Sequence, residues 1–552
     1  MTDHLAQTPS AQARLPSHEV LNQPPPRQDH ALWQGDLALR SHATLNGADP
    51  SVLTRLAGDL GTPEMAEKAR AATRNPPELR SFDRGGRRLD EVVFHPAYHD
   101  FLSLGLGAGY AALPWEGATG GHVTHAAMVY LHSQVEPGTC CPMTMTYAAL
   151  PVIVRATGDA PGLSLWRDRL MSRNYDPSVR VIASKSGATL GMAMTEKQGG
   201  SDLRATTTKA EETADGWRLT GHKWFCSAPM SDGFLTLAQT PQGITCFLVP
   251  RWLDAGRNAI HLMRLKDKLG NRANASAEIE YHGALGIPVG EPGRGIATIL
   301  QMVHHTRLDT ALAPAGLMRA ALAEALHWAG HRTAFQLRLI DQPLMALVLA
   351  SAAIETEAAL ALGLRVARAF DGGTDQDRAF ARVGVALAKF LANKRCVPVV
   401  AEAMEALGGM GYVEDTPLPM LYREAPLNGI WEGSGNVICL DILRTLAREP
   451  AAAAALQTEL GSATGQDARY DAALAAFRER WNDGVPEPEA RAFCVRAATL
   501  LAAAQLLRHA PQAVASGYLS IHLDEGSGIA GCASDIDAKV VLARSAAPGG
   551  GD

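Results

Sequence analysis

The stretch Met192-Ala-Met-Thr-Glu-Lys-Gln-Gly-Gly-Ser-Asp202 ends a predicted strand and enters a polar loop that contains two adjacent glycines. Gly199 and Gly200 let backbone amides approach a ligand closely. Thr195 and Ser201 can each donate and accept hydrogen bonds, which suits a ring with mixed donors and acceptors, or a pyrophosphate. A β-turn with satisfied hydroxyl groups explains the same residues, so this stretch is informative only together with its surroundings.

A second polar stretch, Gly221-His-Lys-Trp-Phe-Cys-Ser227, follows a predicted strand that ends near Thr220. An aromatic pair such as Trp224 and Phe225 in a β domain usually belongs to the hydrophobic core. Stacking against a cofactor is the alternative interpretation, and it needs support from other motifs.

The sharpest local feature is Trp431-Glu-Gly-Ser-Gly-Asn436, just ahead of an apolar helical segment. Beside tryptophan and glycine, the Glu432 carboxylate can be partly removed from water, which raises its pKa and makes it a better base. The alternative is an acid at a helix N-terminus, favoured by the helix dipole. The glycines of Leu407-Gly-Gly-Met-Gly-Tyr412 fit either a helix end with its turn or a space cleared for a cofactor tail.

Apolar spacing divides the chain into helical, strand-rich and again helical parts, with long helices predicted over Leu344–Phe370 and Asp377–Leu407. This order predicts an α+β fold. We expect a flexible arm over 1–30, an N-terminal α domain over 31–180, a middle antiparallel β domain over 181–290, a C-terminal four-helix-type α domain over 291–447 and an extra helical region over 448–552.

Composition excludes several classes of protein. The chain has 552 residues, of which 47% are apolar and 20% charged, and a net charge of -6, so the whole molecule is no general binder of nucleic acid or anionic lipid. It contains no run of 18 uncharged apolar residues, which predicts that no segment spans a membrane. Eight cysteines without CxxC spacing predict reduced thiols and a cytoplasmic location, and we expect no metal site.

Five collinear motifs together resemble the acyl-CoA dehydrogenase family, over about residues 75 to 445. The first two are Met194-Thr-Glu followed by Gly200-Ser-Asp, and Gly221-His-Lys-Trp-Phe225. The other three are Arg332-Thr-Ala-Phe335 with Gln342, Gly408-Gly-Met-Gly-Tyr412 and Glu432-Gly-Ser-Gly-Asn436.

The closer likeness is to the AidB-type branch, the alkylation-response flavoproteins. It is carried by stretches such as Asn22-Gln-Pro24 and Leu265-Lys-Asp-Lys-Leu-Gly-Asn-Arg272.

The resemblance implies a homotetramer that holds FAD between the β domain and the C-terminal helices. It implies that Glu432 removes the α-proton of an acyl-CoA thioester while the β-hydrogen leaves as hydride to the flavin. Some relatives take the base from a helix instead, at the position of Thr306, which cannot serve. The implied cofactor-binding residues are Met192, Met194, Thr195, Gly200, Ser201, Trp224, Phe225, Ser227, Arg332, Phe335, Gln342, Gly408, Gly409 and Asn436, with Arg332 reaching the FAD pyrophosphate of a neighbouring subunit.

Two positions depart from the family pattern: Phe225 replaces the usual tryptophan, and Gln336 replaces the usual glycine after Phe335. AidB-type proteins also imply a second role, protection of DNA from alkylation through non-specific binding of duplex DNA by the C-terminal region. Residues 448–552 hold nine Arg or Lys and thirteen Asp or Glu, a net charge of about -4, whereas DNA binding normally needs a basic face. The arginines available for a local basic stripe are Arg444, Arg448 and Arg478, with Arg469 and Arg480 beside them.

Overall fold

The computed structural model describes residues 11–25, 27, 30–156, 162–524 and 528–545. The N-terminal domain is helical, as predicted, apart from one small hairpin. Its second and third helices begin at prolines that follow the capping residues Asp49 and Thr62, a usual way to start a helix. The elements are α1 (Leu37–Asn46), α2 (Pro50–Leu60), α3 (Pro63–Arg74), β1 (Glu78–Phe82), β2 (Arg88–Val93), α4 (Pro96–Ala108), α5 (Gly121–Ser133), α6 (Cys140–Ala156) and α7 (Leu163–Leu170).

The middle domain is a seven-stranded sheet with the strand order β10-β11-β5-β4-β6-β3, to which β7 adds by pairing with both β11 and β6. A two-stranded ribbon, β8 with β9, lies beside it. The strands are β3 (Leu190–Ala193), β4 (Lys209–Thr213), β5 (Gly216–Ser227), β6 (Gly233–Thr240), β7 (Gly243–Pro250), β8 (Trp252–Leu253), β9 (Gly256–Arg257), β10 (Ile260–Leu265) and β11 (Ser276–Val289).

The prediction of a purely antiparallel middle domain is wrong at one edge. Strand β3 runs parallel to β6, with Leu190 opposite Gly233, and β4 makes one parallel pair with β6. A parallel neighbour needs a long crossover connection. The loop after β3 and the β4–β5 hairpin provide it, and they also keep the loop of residues 194–208 at the end of the sheet.

The C-terminal domain is built on three long helices that pack against one another, α8, α9 and α10. The predicted helices over Leu344–Phe370 and Asp377–Leu407 are confirmed to within two residues at each end. Apolar residues cover most of each helix, so these elements form the core of the domain. The elements are α8 (Gly295–His331), the hairpin β12 (Thr333–Ala334) and β13 (Leu337–Arg338), α9 (Pro343–Asp371), α10 (Asp375–Ala406), α11 (Leu418–Glu424) and α12 (Gly435–Arg448).

The extra C-terminal region is helical, as predicted, and packs against α9 and α10. The Glu459 carboxylate joins this region to α9, because Arg365 of α9 donates to it at 2.9 and 2.7 Å. Gln505 donates to the same carboxylate at 2.8 Å. The elements are α13 (Pro450–Gly461), α14 (Ala468–Arg480), α15 (Ala490–His509), α16 (Gln512–His522) and α17 (Ala538–Ala543).

Part of the predicted flexible arm, residues 1–10, 26, 28 and 29, lies outside the described residues. Within the described part, Asn22 is tied to the turn after α8. Its amide group donates to Thr333 O at 2.8 Å and accepts from Thr333 N at 2.7 Å, and Arg332 Nη1 donates to Asn22 O at 3.0 Å. The mobility of the arm as a whole stays a prediction.

Two helical stretches, Pro343–Asp371 and Glu487–His509, are long and apolar enough to cross a membrane by length and composition alone. The apolar runs within them, around Leu344–Ala353 and Ala498–Leu507, are shorter than 18 residues, and their length predicts buried helices. In the structure 67% and 72% of their most apolar windows are buried against the rest of the protein, which is how core helices are placed. None of the eight cysteines, all of which are described, forms a disulfide.

The docking of the C-terminal region generates a stability prediction. We expect Glu459→Ala to lower the free energy of unfolding by about 3 kcal/mol, because it leaves the partly buried Arg365 guanidinium without its carboxylate. Thermal unfolding of the purified protein measures the change. Glu479→Ala on the exposed side of α14 is the matched control and should alter stability by less than about 0.5 kcal/mol. Equal effects of the two substitutions would contradict the assigned role.

Candidate active site

Glu432 lies in the loop between α11 and α12 with an unusual backbone conformation. Its φ of 57° is in the left-handed region, and Gly433 follows with φ 97°. A residue other than glycine held in this region costs on the order of 1 kcal/mol or more, so surrounding contacts must impose the conformation. The loop therefore presents the Glu432 side chain at a backbone geometry that the local sequence does not favour.

The carboxylate of Glu432 points to α8, where Thr306 Oγ1 donates to Oε2 at 2.6 Å. A role as a helix N-terminal acid does not describe this arrangement, because the hydrogen-bond partner belongs to a different helix. Thr306 is the alternative position of the base that the family resemblance implies. The structure thus brings the two alternative base positions into direct contact, with threonine acting as donor and glutamate as acceptor.

Burial raises the pKa of Glu432 above its ordinary value. The Thr306 hydroxyl, the Lys389 ammonium and the Arg307 guanidinium oppose this shift by stabilising the charged form, and Asp309 adds to it by repulsion. The result is a carboxylate with a raised pKa that keeps one hydrogen bond. Such a group is suited to accept a proton near neutral pH.

Two cations hold the Glu432 loop in place. Lys389 Nζ of α10 donates to Trp431 O at 2.9 Å and to Gly433 O at 2.8 Å, and Arg307 Nε donates to Glu432 O at 3.3 Å. Arg307 is itself anchored, because its Nη1 lies 2.6 Å from Asp441 Oδ2 of α12. The loop is therefore fixed by side chains of both α8 and α10.

A buried histidine and tyrosine cluster lies one turn further along α8. Asp309 accepts hydrogen bonds from Thr144 at 2.5 Å and from Tyr110 at 3.3 Å, and its Oδ1 lies 2.7 Å from His125 Nε2. His125 stacks at a tilt on Tyr147, with ring centroids 3.8 Å apart. This network fixes α8 against α5 and α6, and so fixes the position of Thr306.

The predicted cofactor residues of the middle domain lie together. Met192 belongs to β3, and Met194, Thr195, Gly200 and Ser201 lie in the loop after it. Trp224, Phe225 and Ser227 lie on β5. Trp224 N donates to Thr195 O at 2.7 Å, which joins the two segments. Gly200 packs so closely on Thr195 that a Cβ atom there would lie 2.3 Å from Thr195 Oγ1.

These residues fit a flavin. Phe225 is 49% exposed, so its ring lies outside the core, and Lys266 Nζ lies 4.7 Å from the ring centre. Hydroxyl groups lie near it on β5 and β11, where Ser227 and Ser276 face each other with their Oγ atoms 3.1 Å apart. The set offers an aromatic face together with neutral donors and acceptors and no metal ligands, which matches the mixed polarity of an isoalloxazine ring.

A second group of predicted cofactor residues lies on the α domain. Arg332 and Phe335 lie at the hairpin after α8, and Gln342 Nε2 donates back to Ala334 O at 2.9 Å. Among the described residues, no hydrogen bond or ring contact joins this group to Thr195 or Phe225 of the same chain. Phe335 is 92% exposed. Gly408 and Gly409 also have open space where side chains would stand, while Asn436 opens α12.

Models of known families match three consecutive parts of the chain. The Adaptive response protein AidB N-terminal domain matches residues 22–177, the acyl-CoA dehydrogenase middle domain residues 191–284, and the acyl-CoA dehydrogenase C-terminal domain residues 293–447. The chain belongs to the acyl-CoA dehydrogenase family. Its N-terminal match places it in the AidB branch.

Individual relatives agree. The AidB protein of Escherichia coli (strain K12) is 44% identical over 93% of this chain and 96% of its own length. The solved structure of Caenorhabditis elegans ACDH-11 in complex with C11-CoA is 27% identical, superimposes with a TM-score of 0.82 and covers 94% of each chain. A structure from Bacillus anthracis, solved with FAD, is 17% identical with a TM-score of 0.60 over 77% of each chain, and shares the fold. The predicted acyl-CoA dehydrogenase fold is confirmed.

Sequence reasoning missed Lys389, which the structure places at the Glu432 loop, because an isolated lysine in a long apolar helix carries no motif. It also missed Arg491 of α15, whose Nη1 donates to Asn436 Oδ1 at 2.8 Å. The extra C-terminal region thereby touches a predicted cofactor residue of this acyl-CoA dehydrogenase homologue. Lys266 was quoted only as part of a likeness, yet its Nζ lies 3.4 Å from the centre of the Trp224 ring.

The arginines that the sequence analysis suggested for DNA binding do not form a continuous basic stripe. Arg444 and Arg448 are exposed, one turn apart on α12, and Arg478 is exposed on α14, where its Nε donates to Gln457. Arg469 is held by the carboxylates of Asp467 and Asp524. Arg480 lies 3.0 Å from Glu489. Carboxylates of the same region therefore neutralise two of the five arginines, Arg469 and Arg480.

The Thr306–Glu432 contact generates a pH prediction. The hydroxyl stabilises the carboxylate, so Thr306→Val should raise the pKa of Glu432 further. If Glu432 is the base, the acidic limb of the pH profile for flavin reduction should move upward by about one pH unit, the equivalent of one hydrogen bond to a charged group. Thr306→Ser keeps the hydroxyl and should retain the wild-type limb. Coincident profiles for the valine variant and the wild type would refute this contribution.

Proposed function

We propose that this protein is an FAD-dependent dehydrogenase that introduces a double bond between Cα and Cβ of an acyl-CoA thioester, with Glu432 as the base. One observation carries the proposal: a partly buried carboxylate with a raised pKa, held in a fixed orientation by Thr306, in a chain of acyl-CoA dehydrogenase fold. The thioester class is supported by the C. elegans relative that was solved with C11-CoA.

The residues divide the work as follows. When bound, FAD supplies the acceptor for the β-hydride. Among the described residues Glu432 Oε1 accepts no hydrogen bond, so it can take the α-proton while Oε2 stays on Thr306. Lys389 and Arg307 hold the loop carbonyls, so the carboxylate keeps its orientation when it becomes neutral.

For the cofactor, we propose that Thr195, Ser201 and Ser227 hydrogen-bond the flavin region and that Phe225 covers one face of the ring. The support is the hydrogen bond that joins the two segments at the end of the sheet and the exposure of Phe225. Phenylalanine at this position keeps the stacking surface of the family's usual tryptophan but lacks its N–H donor.

We also propose that the protein assembles as a homotetramer in which Arg332 contacts FAD of a neighbouring subunit. Arginine suits pyrophosphate because its guanidinium offers a planar fork of donors. The support is the separation of Arg332 and Phe335 from the flavin segments of their own chain. Large apolar side chains of the C-terminal domain are exposed, including Phe335 (92%), Tyr412 (83%) and Leu344 (71%), as expected where a second subunit covers the surface.

We do not extend the proposal to protection of DNA. Residues 448–552 carry a net charge of about -4, and Arg469 and Arg480 are occupied by carboxylates. Arg444, Arg448 and Arg478 alone offer little counter-charge to a phosphate backbone, since each contributes about one unit to the salt dependence of binding. A cytoplasmic location, suggested by the reduced thiols, likewise stays a prediction.

The central test mixes the yellow protein anaerobically with a panel of acyl-CoA thioesters, including undecanoyl-CoA, and follows the loss of flavin absorbance. We expect bleaching by at least one thioester in the wild type. In Glu432→Gln we expect the rate of flavin reduction to fall by about 10²- to 10⁴-fold with FAD content unchanged, because the amide keeps the shape but cannot accept a proton. A glutamine variant that reduces its flavin at the wild-type rate would place the base elsewhere.

The assembly proposal has its own measurement. Light scattering with absorbance detection should show that FAD elutes with the tetramer. Arg332→Ala should release FAD more readily, by roughly tenfold in apparent affinity, because one charged contact to the pyrophosphate is lost. Arg338→Ala in the same hairpin, an exposed residue paired only with Asp341, is the matched control. A monomer saturated with FAD would overturn the proposal.

A further inference from the structure

Lys389 is one of the most buried charged residues in the chain, with 1% of its surface exposed. It lies in the middle of α10, within the apolar run Val385–Leu391, where a charge is costly unless it has strong partners. Its position in an apolar helix gives no local reason for a lysine. The reason must therefore lie in what the ammonium group touches.

The ammonium bridges the carbonyl groups of the residues before and after Glu432. Nζ donates to Trp431 O at 2.9 Å and to Gly433 O at 2.8 Å. These two carbonyls bracket the residue whose backbone is in the left-handed region. The φ and ψ angles of Glu432 and of Gly433 lie between these two carbonyls, so a donor that binds both restrains this backbone segment and thereby the direction of the Glu432 side chain.

Other buried lysines of the chain bind differently. Lys223 Nζ lies 2.8 Å from Glu196 Oε1, and Lys185 Nζ lies 2.6 Å from Asp232 Oδ1, so each neutralises a carboxylate as a structural ion pair. Lys389 makes no such pair within 4.0 Å among the described residues, and both of its hydrogen bonds go to loop carbonyls. This difference favours restraint of the loop over simple charge neutralisation.

The helix that carries Lys389 is itself locked to the helix that carries Thr306. Asn393, one turn after Lys389, donates to Thr310 O of α8 at 2.9 Å and to Lys389 O at 2.8 Å. Thr310 lies one turn after Thr306. Lys389, which donates to the loop backbone, and Thr306, which donates to the Glu432 carboxylate, are therefore held at a fixed separation.

The charges of Lys389 and Glu432 also act on each other. The ammonium stabilises the Glu432 carboxylate and lowers its pKa relative to the value that burial alone would set, and burial brings the pKa of Lys389 to about 7. The other charged groups that face them are Arg307 and Asp309 on α8 and Lys394 on α10. Removing the ammonium therefore raises the pKa of Glu432.

We propose that Lys389 is a positioning residue for the base: its ammonium clamps the carbonyls of Trp431 and Gly433 and so holds Glu432 in its left-handed backbone conformation. The catalytic part of this inference rests on the proposed function of Glu432. The structural part, restraint of the loop, does not depend on any turnover.

The test uses the full-length FAD protein with Lys389→Met, which removes the ammonium at similar side-chain length, and Lys389→Arg, which keeps a cation. Lys185→Met is the matched control, because it deletes an equally buried lysine that does not touch the Glu432 loop. Lys389→Gln replaces the methionine variant if the latter does not fold. Two quantities are measured: hydrogen–deuterium exchange of a peptide covering residues 427–437, and the pH profile of flavin reduction by the thioester that bleaches the wild type.

We expect exchange over residues 430–434 to accelerate about tenfold in Lys389→Met and to stay unchanged in Lys185→Met, because only the first releases the loop. We expect flavin reduction to slow by roughly tenfold to a hundredfold, as for a misplaced catalytic group, and its acidic limb to move to higher pH. Lys389→Arg should recover part of both effects. A lysine that merely stabilises α10 would leave the acidic limb in place.

Unchanged exchange in Lys389→Met, or an unchanged acidic limb, would overturn the proposal. If no thioester reduces the wild-type flavin, the proposed function fails while the exchange experiment still decides whether Lys389 restrains the loop. If Glu432→Gln remains active, the base is elsewhere, and only the catalytic part of the inference is lost.

Discussion

The hydrogen bond between Thr306 and Glu432 joins two side chains that are 126 residues apart in sequence, at 2.6 Å. Much of the C-terminal domain serves to keep that distance. Helix α8 must run past the loop without sliding, and α10 must hold the loop backbone from the other side. The glutamate then sits in an unfavourable φ region, which is stable only because contacts from both helices over-determine it.

The surrounding buried charges explain how these helices stay in register. Asp309 on α8 binds Thr144 and Tyr110 and lies beside His125, which ties α8 to α5 and α6 of the N-terminal domain. Arg307 ties the same stretch to Asp441 of α12. Buried groups of this kind contribute little net stability when satisfied, but they penalise any alternative register because a shift would leave them unpaired. Precise placement of Thr306 follows from that penalty.

Most of the fold could be predicted from the sequence because it is encoded by local patterns. The helical spacing of apolar residues predicted the ends of α9 and α10 to within two residues. The parallel pairing of β3 with β6 could not be read in this way, since strand partners are chosen by long-range packing. For the candidate site, the motif around Glu432 identified the right loop. Lys389 and Arg491 stayed hidden because their meaning depends on what tertiary packing brings to them, and neither belongs to a sequence motif.

The electrostatics of Glu432 illustrate why a site of this type needs opposing contributions. Burial raises the pKa of the Glu432 carboxyl and so favours its protonated form, which cannot act as a base. Full neutralisation by a direct ion pair would instead make it too weak a base. In the structure the carboxylate accepts one hydrogen bond, from Thr306. Lys389 and Arg307 bind backbone carbonyls of the Glu432 loop rather than the carboxylate. Their charges act on Glu432 from a distance and favour its carboxylate form, and one of its oxygens remains available to a substrate.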